Sequence, residues 1–170
     1  GLSGSVTFGT TTLINSGEYD IFVAKLDING NWLWAKKAGG TSGDFGNGIA
    51  VDANGNSYVT GNFWSSATFG TTTLTSSGGY DIFVAKLDIN GNWLWAKQAG
   101  GGAIYDYGQS IAVDANGNSY VTGYFEGGAT FGTTTLNSSG SWDIFVAKLG
   151  EVNSIDLPDI ISFSGIRSIY

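Results

Sequence analysis

The chain repeats itself almost letter for letter. Tyr19–Lys36 reads YDIFVAKLDINGNWLWAK, and the same eighteen residues return at Tyr80–Lys97, 61 positions on. IAVDANGNSYVTG at Ile49–Gly61 returns at Ile111–Gly123, 62 positions on. A shorter motif occurs three times, as VTFGTTTL from Val6 and as ATFGTTTL from Ala67 and from Ala129. A third copy of the long motif begins as WDIFVAKL at Trp142 and departs at Gly150, where Asp27 and Asp88 stand in the earlier copies. A fixed period of this length means supersecondary units that cannot bury their apolar faces alone and must stack on one another. Residues 5–149 therefore read as tandem units, about two and a third of them. Residues 150–170 have no counterpart earlier and hold the single proline, Pro158.

Each unit predicts four strands. In the second unit they fall at Ile49–Ala53, Ser57–Phe63, Asp81–Asp88 and Trp93–Ala99. The pattern D-x-N-G-N separates strands in pairs and occurs four times, with structural turns at Asn29-Gly30, Asn54-Gly55, Asn90-Gly91 and Asn116-Gly117. Asn-Gly between apolar runs is the strongest short hairpin signal, because both residues accept positive φ and fit the primed turns that match strand twist. ATFG-TTTL adds a short hairpin between the second and third strands. No segment has helical periodicity, so the fold is all-β. In Asp20–Asp27 one face carries Ile21, Val23 and Lys25, and the other Phe22, Ala24 and Leu26. A sheet with one wet face alternates apolar and polar residues, whereas this strand is apolar on both faces and predicts cover on both. Four-stranded antiparallel units covered on both faces by their own kind are β-propeller-type blades.

The motifs IAVDANGNSYVTG and DIFVAKLDINGNWLWAK together resemble the bacterial seven-bladed β-propeller (SBBP) repeat. The resemblance runs from Val6 to Leu149. It implies propeller blades of secreted or surface-exposed bacterial proteins, and it implies no catalytic residues. The chain departs from the family in number, with two to three blades, an incomplete propeller. Propellers close with about four to eight blades.

Composition narrows the function classes. Among 170 residues, seven Lys and Arg face fourteen Asp and Glu, a net charge of −7. That balance repels phosphate backbones and anionic headgroups and argues against nucleic-acid partners. No apolar run approaches the length of a membrane helix, so no membrane insertion is expected, and no signal peptide is visible at the start. Cysteine and histidine are both absent, which removes disulfides, thiolate nucleophiles, imidazole bases and Ser-His-Asp triads together. Fourteen acidic residues could supply a carboxylate pair, but most recur at turns in every unit, and a single active site has no reason to recur. The expectation is no enzyme and no cofactor.

Several residues invite a binding role. The D-x-N-G-N loops suggest calcium, yet their glycine is fourth and no Glu follows at the twelfth position of the loop, so Asp27 and its equivalents are expected to bond turn amides and no metal is expected. Trp32 with Trp34, and Trp93 with Trp95, lie two apart and are expected on one sheet face as interblade core. Lys25, Lys86 and Lys148 sit inside strands, where ion pairs with Asp are the ordinary explanation. Asp44 and Asp106 persist in a variable stretch and are expected to brace the turn before the first strand. Positions that differ between near-identical units cluster in connections: Asn62, Trp64 and Ser65 become Tyr124, Glu126 and Gly127, and Phe45 becomes Tyr107 beside the new Tyr105. Binding surfaces favour such connections, which makes Trp64, Tyr105, Tyr107 and Tyr124 candidate ligand-binding residues; neutral loop drift is the other reading.

Two functions follow. Too few blades leave two apolar flanks open, so the leading expectation is a structural or adhesive protein, extracellular or on the cell surface, that self-assembles into a ring or filament with other copies of itself. The alternative is a lectin-like module binding glycans through the loop aromatics; a piece of a larger propeller enzyme is a distant third. The missing fourth strand of the last unit would come from the tail, where Ile160–Phe163 and Ile166–Tyr170 read as short strands, or from another chain. A linker is the other reading of that tail.

Overall fold

The D-x-N-G-N pentapeptide folds identically at all four of its sites. In a computed structural model, which describes residues 1–150, Asp88 Oδ1 accepts hydrogen bonds from the backbone N–H groups of Asn90 and Asn92 at 2.9 and 2.8 Å, while its Oδ2 accepts from the Asn92 side chain. Asp27, Asp52 and Asp114 do the same in their own loops. The glycines at 30, 55, 91 and 117 all take φ of 80–82°, which a Cβ would disfavour. These donors hold the carboxylates well below their ordinary range, the Asn side chain and amide leading the effect at Asp27 and Asp88.

Among the described residues there are thirteen strands and no helix. The strands are β1 (Ser5–Phe8), β2 (Thr11–Ile14), β3 (Ile21–Leu26), β4 (Trp32–Ala38), β5 (Asp44–Val51), β6 (Ser57–Phe69) and β7 (Thr72–Leu87). They continue with β8 (Trp93–Ala99), β9 (Asp106–Val113), β10 (Ser119–Phe125), β11 (Gly128–Phe131), β12 (Thr134–Asn137) and β13 (Asp143–Leu149). One four-stranded antiparallel sheet, β5-β6-β7-β8, forms the middle blade. A three-stranded sheet, β9-β10-β13, follows it, and a two-stranded sheet, β3-β4, precedes it. The bridge Leu2↔Asp20 repeats the pairings Phe63↔Asp81 and Phe125↔Asp143, so Leu2 stands where a second strand ends. This is an all-β, incomplete propeller with blades of the expected type.

Two interblade cores carry the packing. Ile21 and Val23 of β3 meet Phe83, Ala85 and Leu87 of β7 in the first. Ile82 and Val84, on the opposite face of β7, meet Phe145 and Ala147 of β13 in the second. One heptapeptide, DIFVAKL, thus supplies both halves of each junction, because alternate residues of a strand point to opposite faces. The inner strands β5 and β9 run side by side, and Asn47 Nδ2 ties them by donating to the Gly108 carbonyl at 2.9 Å. Ile111 on β9 is buried by that neighbour, whereas its equivalent Ile49 is exposed.

Local structure departs from the sequence reading in three places. The first strand of the middle blade starts at Asp44, not Ile49, since Asp44 through Gly46 already pair with Phe63 through Gly61. In the same blade the ATFG-TTTL hairpin is no separate element: β6 and β7 stay paired through it, across an irregularity at Ser65 where φ reaches 66°. In the last blade β11 and β12 form a hairpin of their own. The tryptophan pairs do not share a face. A register shift between Lys86 and Leu87 pairs Lys86 with Trp95 and Leu87 with Trp93, leaving Leu94 as the extra residue. Trp93 therefore packs in the first core, edge-on to Phe69, and Trp95 in the second, edge-on to Tyr58. Both remain interblade core, as their size favours.

Two of the strand lysines, Lys25 and Lys148, have contacts other than the expected carboxylates. Lys25 Nζ donates to the Ile89 carbonyl, and Lys148 lies 5.5 Å over the Tyr120 ring. Lys86 lies 4.8 Å over Tyr58. The expectation for the tail concerns residues from 151 on and lies outside the described residues.

Candidate functional site

At the blade end opposite the D-x-N-G-N hairpins, aromatic rings from all three blades meet. The connections there start and end at equivalent strand positions, so each blade presents its ring beside the next. Tyr19 contacts Phe45 at 5.5 Å between centroids, and Phe45 contacts Tyr80 at 6.1 Å. Tyr80 then contacts Trp64 at 5.3 Å and Tyr107 at 5.6 Å. Tyr107, Tyr105 and Trp142 form a triangle with sides of 6.0, 5.5 and 6.1 Å, their planes within 17° of one another. Tyr124 closes the group against Tyr107 and Trp142. Tyr19, Trp64, Tyr105 and Trp142 are exposed, while Tyr80, Tyr107 and Tyr124 are half-buried.

All four candidate residues read from the variable connections, Trp64, Tyr105, Tyr107 and Tyr124, lie in this one ladder. Tyr19, Phe45, Tyr80 and Trp142 were not singled out. Tyr19, Tyr80 and Trp142 all occupy the position just before the DIF motif, and one aromatic at that place in every copy was the signal available. Sequence distance hid the juxtaposition, since Tyr19 and Trp142 are joined only through stacked blades.

Behind the rings lie buried carboxyls. Asp20, Asp44, Asp81 and Asp106 are fully buried. Asp44 Oδ2 accepts from the Gly40 N–H at 2.7 Å, and Asp106 Oδ2 from the Gly101 N–H at 2.9 Å, which braces the turn before each inner strand. Asp20 Oδ2 accepts from Ser16 N–H and makes an ion pair with Lys37 at 3.1 Å. The Oδ1 atoms of Asp20 and Asp81 have no hydrogen-bond partner. Burial pushes the Asp44 carboxyl up to about 7 and the Asp81 carboxyl up to about 6, the neighbouring Asp20 and Asp106 adding to it. Burial likewise raises Tyr80, helped by the charges of Glu18 and Asp44, and raises Tyr107 to about 12.

Among the described residues no group of three or more acidic side chains is placed to hold a metal ion. The turn carboxylates spend their oxygens on amides, and the buried acids come in pairs that repeat from junction to junction. What the arrangement offers chemically is an aromatic surface in a negative setting.

Two stretches of the chain, 33–65 and 94–124, match the SBBP β-propeller repeat family. Each stretch begins in the outer strand of one blade and ends at the second strand of the next, so the family repeat is offset from the structural blade. The chain is 34% identical over 148 residues to an uncharacterized WD repeat-containing protein of Acanthamoeba polyphaga mimivirus, covering 78% of this chain and 10% of that protein. It is 28% identical over 135 residues to the regulatory protein FlaEY of Caulobacter vibrioides, covering 77% of this chain and 14% of that protein. The chain thus spans no more than about a seventh of the length of these curated relatives. With blades in the structure and the family pattern in both matched stretches, the chain is a β-propeller repeat protein that carries SBBP-type repeats at 33–65 and 94–124.

Proposed function

We propose that this chain is a non-catalytic structural module that joins further copies of itself through its two open blade flanks, extending the stack into a ring or a filament. The observation that supports it is an exposure difference between identical residues. Phe83 is 0% exposed inside a blade junction, and its equivalent Phe22 on the flank of β3 is 44% exposed. Ile82 is 1% exposed, and its equivalent Ile144 on the flank of β13 is 74% exposed. One flank carries the Phe face of the DIFVAKL strand and the other the Ile face, the two halves that meet inside each junction. A second copy can therefore repeat a contact the chain already makes twice. Such a heterologous contact closes a ring if its rotation divides a full turn and grows a fibre if it does not. The edge of β13, paired only with β10 among the described residues, adds backbone groups for strand addition. The recurrence of carboxyls at equivalent places in each blade, with no unique cluster, supports the non-catalytic reading.

Sedimentation velocity on the wild-type chain and on Ile144→Asp tests this reading. The wild type is expected to run as multiples of 17.7 kDa, growing with concentration, and the variant as a monomer. A wild-type chain that stays monodisperse at 17.7 kDa across the concentration range overturns the reading.

A further inference from the structure

Charge is distributed unevenly between the two ends of the blades: at the hairpin end lysines offset the turn carboxylates Asp27, Asp52, Asp88 and Asp114, an offset the aromatic end lacks. At the hairpin end, Lys25 reaches the Ile89 carbonyl and the Lys36 stem passes within 3.1 Å of the space a Cβ at Gly91 would fill. Lys86 acts on Asp52, and Lys148 covers Tyr120, whose hydroxyl donates to Asp114. The aromatic end is rimmed instead by Glu18, whose charge acts on Tyr80, and Glu126, whose charge acts on Asp106; Lys37, which reaches this end, is tied to Asp20. The exposed rings thus lie in a negative field. A ring face carries partial negative charge and attracts ammonium and guanidinium groups, more strongly when both are screened from water. The chain uses that contact on itself, at Lys86 over Tyr58 and Lys148 over Tyr120.

We propose that the aromatic ladder is a binding strip for a basic polypeptide, taking arginine and lysine side chains over the exposed rings of Trp64, Tyr105 and Trp142. Charge complementarity selects this occupant over an acidic or neutral one. The carboxyls of Glu18 and Glu126 steer the cations in, and the near-parallel planes of Tyr105, Tyr107 and Trp142 offer a guanidinium a surface to lie against. The rings argued to take the cations, Trp64, Tyr105 and Trp142, are different residues from Phe22 and Ile144, on which the assembly reading rests.

The test is titration of the full chain with a fluorescently labelled hexa-arginine peptide, read by anisotropy at low and at physiological ionic strength. Saturable binding that weakens with salt is expected, with affinity falling roughly tenfold in Trp64→Ala and in Trp142→Ala and vanishing in the double variant. Trp32→Ala, on the outer flank of β4, is expected to bind as the wild type does. Both ladder tryptophans are exposed, so the variants are expected to fold, and far-UV circular dichroism checks this. Three results overturn the proposal: no saturable binding, binding unchanged in a folded double variant, or capture of a neutral cello-oligosaccharide by the same strip while the peptide is ignored.

Discussion

The carboxyls of Asp81 and Asp106, from neighbouring blades, both lie against Gly100. A Cβ built on Gly100 would lie 2.7 Å from Asp81 Oδ1 and 3.0 Å from Asp106 Oδ2. Gly39 stands in the same relation to Asp20 and Asp44 one blade earlier. Two carboxyls this close in a dry junction cannot both ionise cheaply, and each pair is arranged to keep a proton.

Stability is accordingly expected to fall as pH rises through the range where these groups titrate. Asp44 and Asp81 have native values of about 7 and about 6 against an ordinary 3.8. Between about pH 4 and 7 the native chain holds protons there that the unfolded chain has released, and stability declines with pH wherever the native state binds more protons. The turn carboxylates act in the opposite sense lower down. Their depressed values add stability above pH 4 that is lost as pH falls through them. Urea unfolding across pH 3–8 should show a maximum near pH 4–5, and Asp44→Asn with Asp81→Asn should flatten the alkaline side. An unaltered slope in that variant would refute the shared-proton account.

Gly100→Ala should be costly and Gly102→Ala neutral, although the two lie two residues apart. Gly100 has φ of 153°, and a Cβ there would sit 2.6 Å from Asp81 Cγ. Strain and displacement of a buried carboxyl together predict a loss of about 2 kcal/mol or more. At Gly102 a Cβ would meet nothing within 4 Å, and the change should stay within about 0.5 kcal/mol. Chemical denaturation of both variants measures the contrast; equal midpoints would contradict it.

Phe83→Ala and Phe22→Ala change the same letter of the same motif. In a monomeric Ile144→Asp background the first is expected to cost about 3–5 kcal/mol, because Phe83 is buried against Phe69 and the neighbouring blade. The second should cost under about 1.5 kcal/mol, since the Phe22 ring packs on Phe8 but stays 44% exposed on the flank. Similar losses at both sites would mean that the flank is covered in the monomer.

Much of the architecture was legible because it depends on local chemistry. Asp52-Ala53-Asn54-Gly55-Asn56 contains the carboxylate, the amide and the glycine of its own hairpin, so nothing distant is needed to fold it. The two apolar faces of Ile21–Leu26 announced cover on both sides, which the copy at Ile82–Leu87 has, whereas Ile21–Leu26 itself keeps Phe22 and Leu26 exposed because no blade precedes it among the described residues. The faces of Trp93 and Trp95 were not legible, because the bulge that separates them belongs to the pairing of β7 with β8. The ladder was read only in part: Trp64, Tyr105, Tyr107 and Tyr124 stood out as differences between units, while Tyr19, Tyr80 and Trp142 were hidden inside the repeat.

Periodicity and turn chemistry, then, determined the strands, their hairpins and the stacking of blades, since each rests on interactions within one unit or between identical ones. Tertiary structure alone decided which copies of one motif are buried, which carboxyls lose water, and which rings touch. Those outcomes depend on what lies across a junction, and identical residues meet different neighbours at the middle and at the ends of a stack.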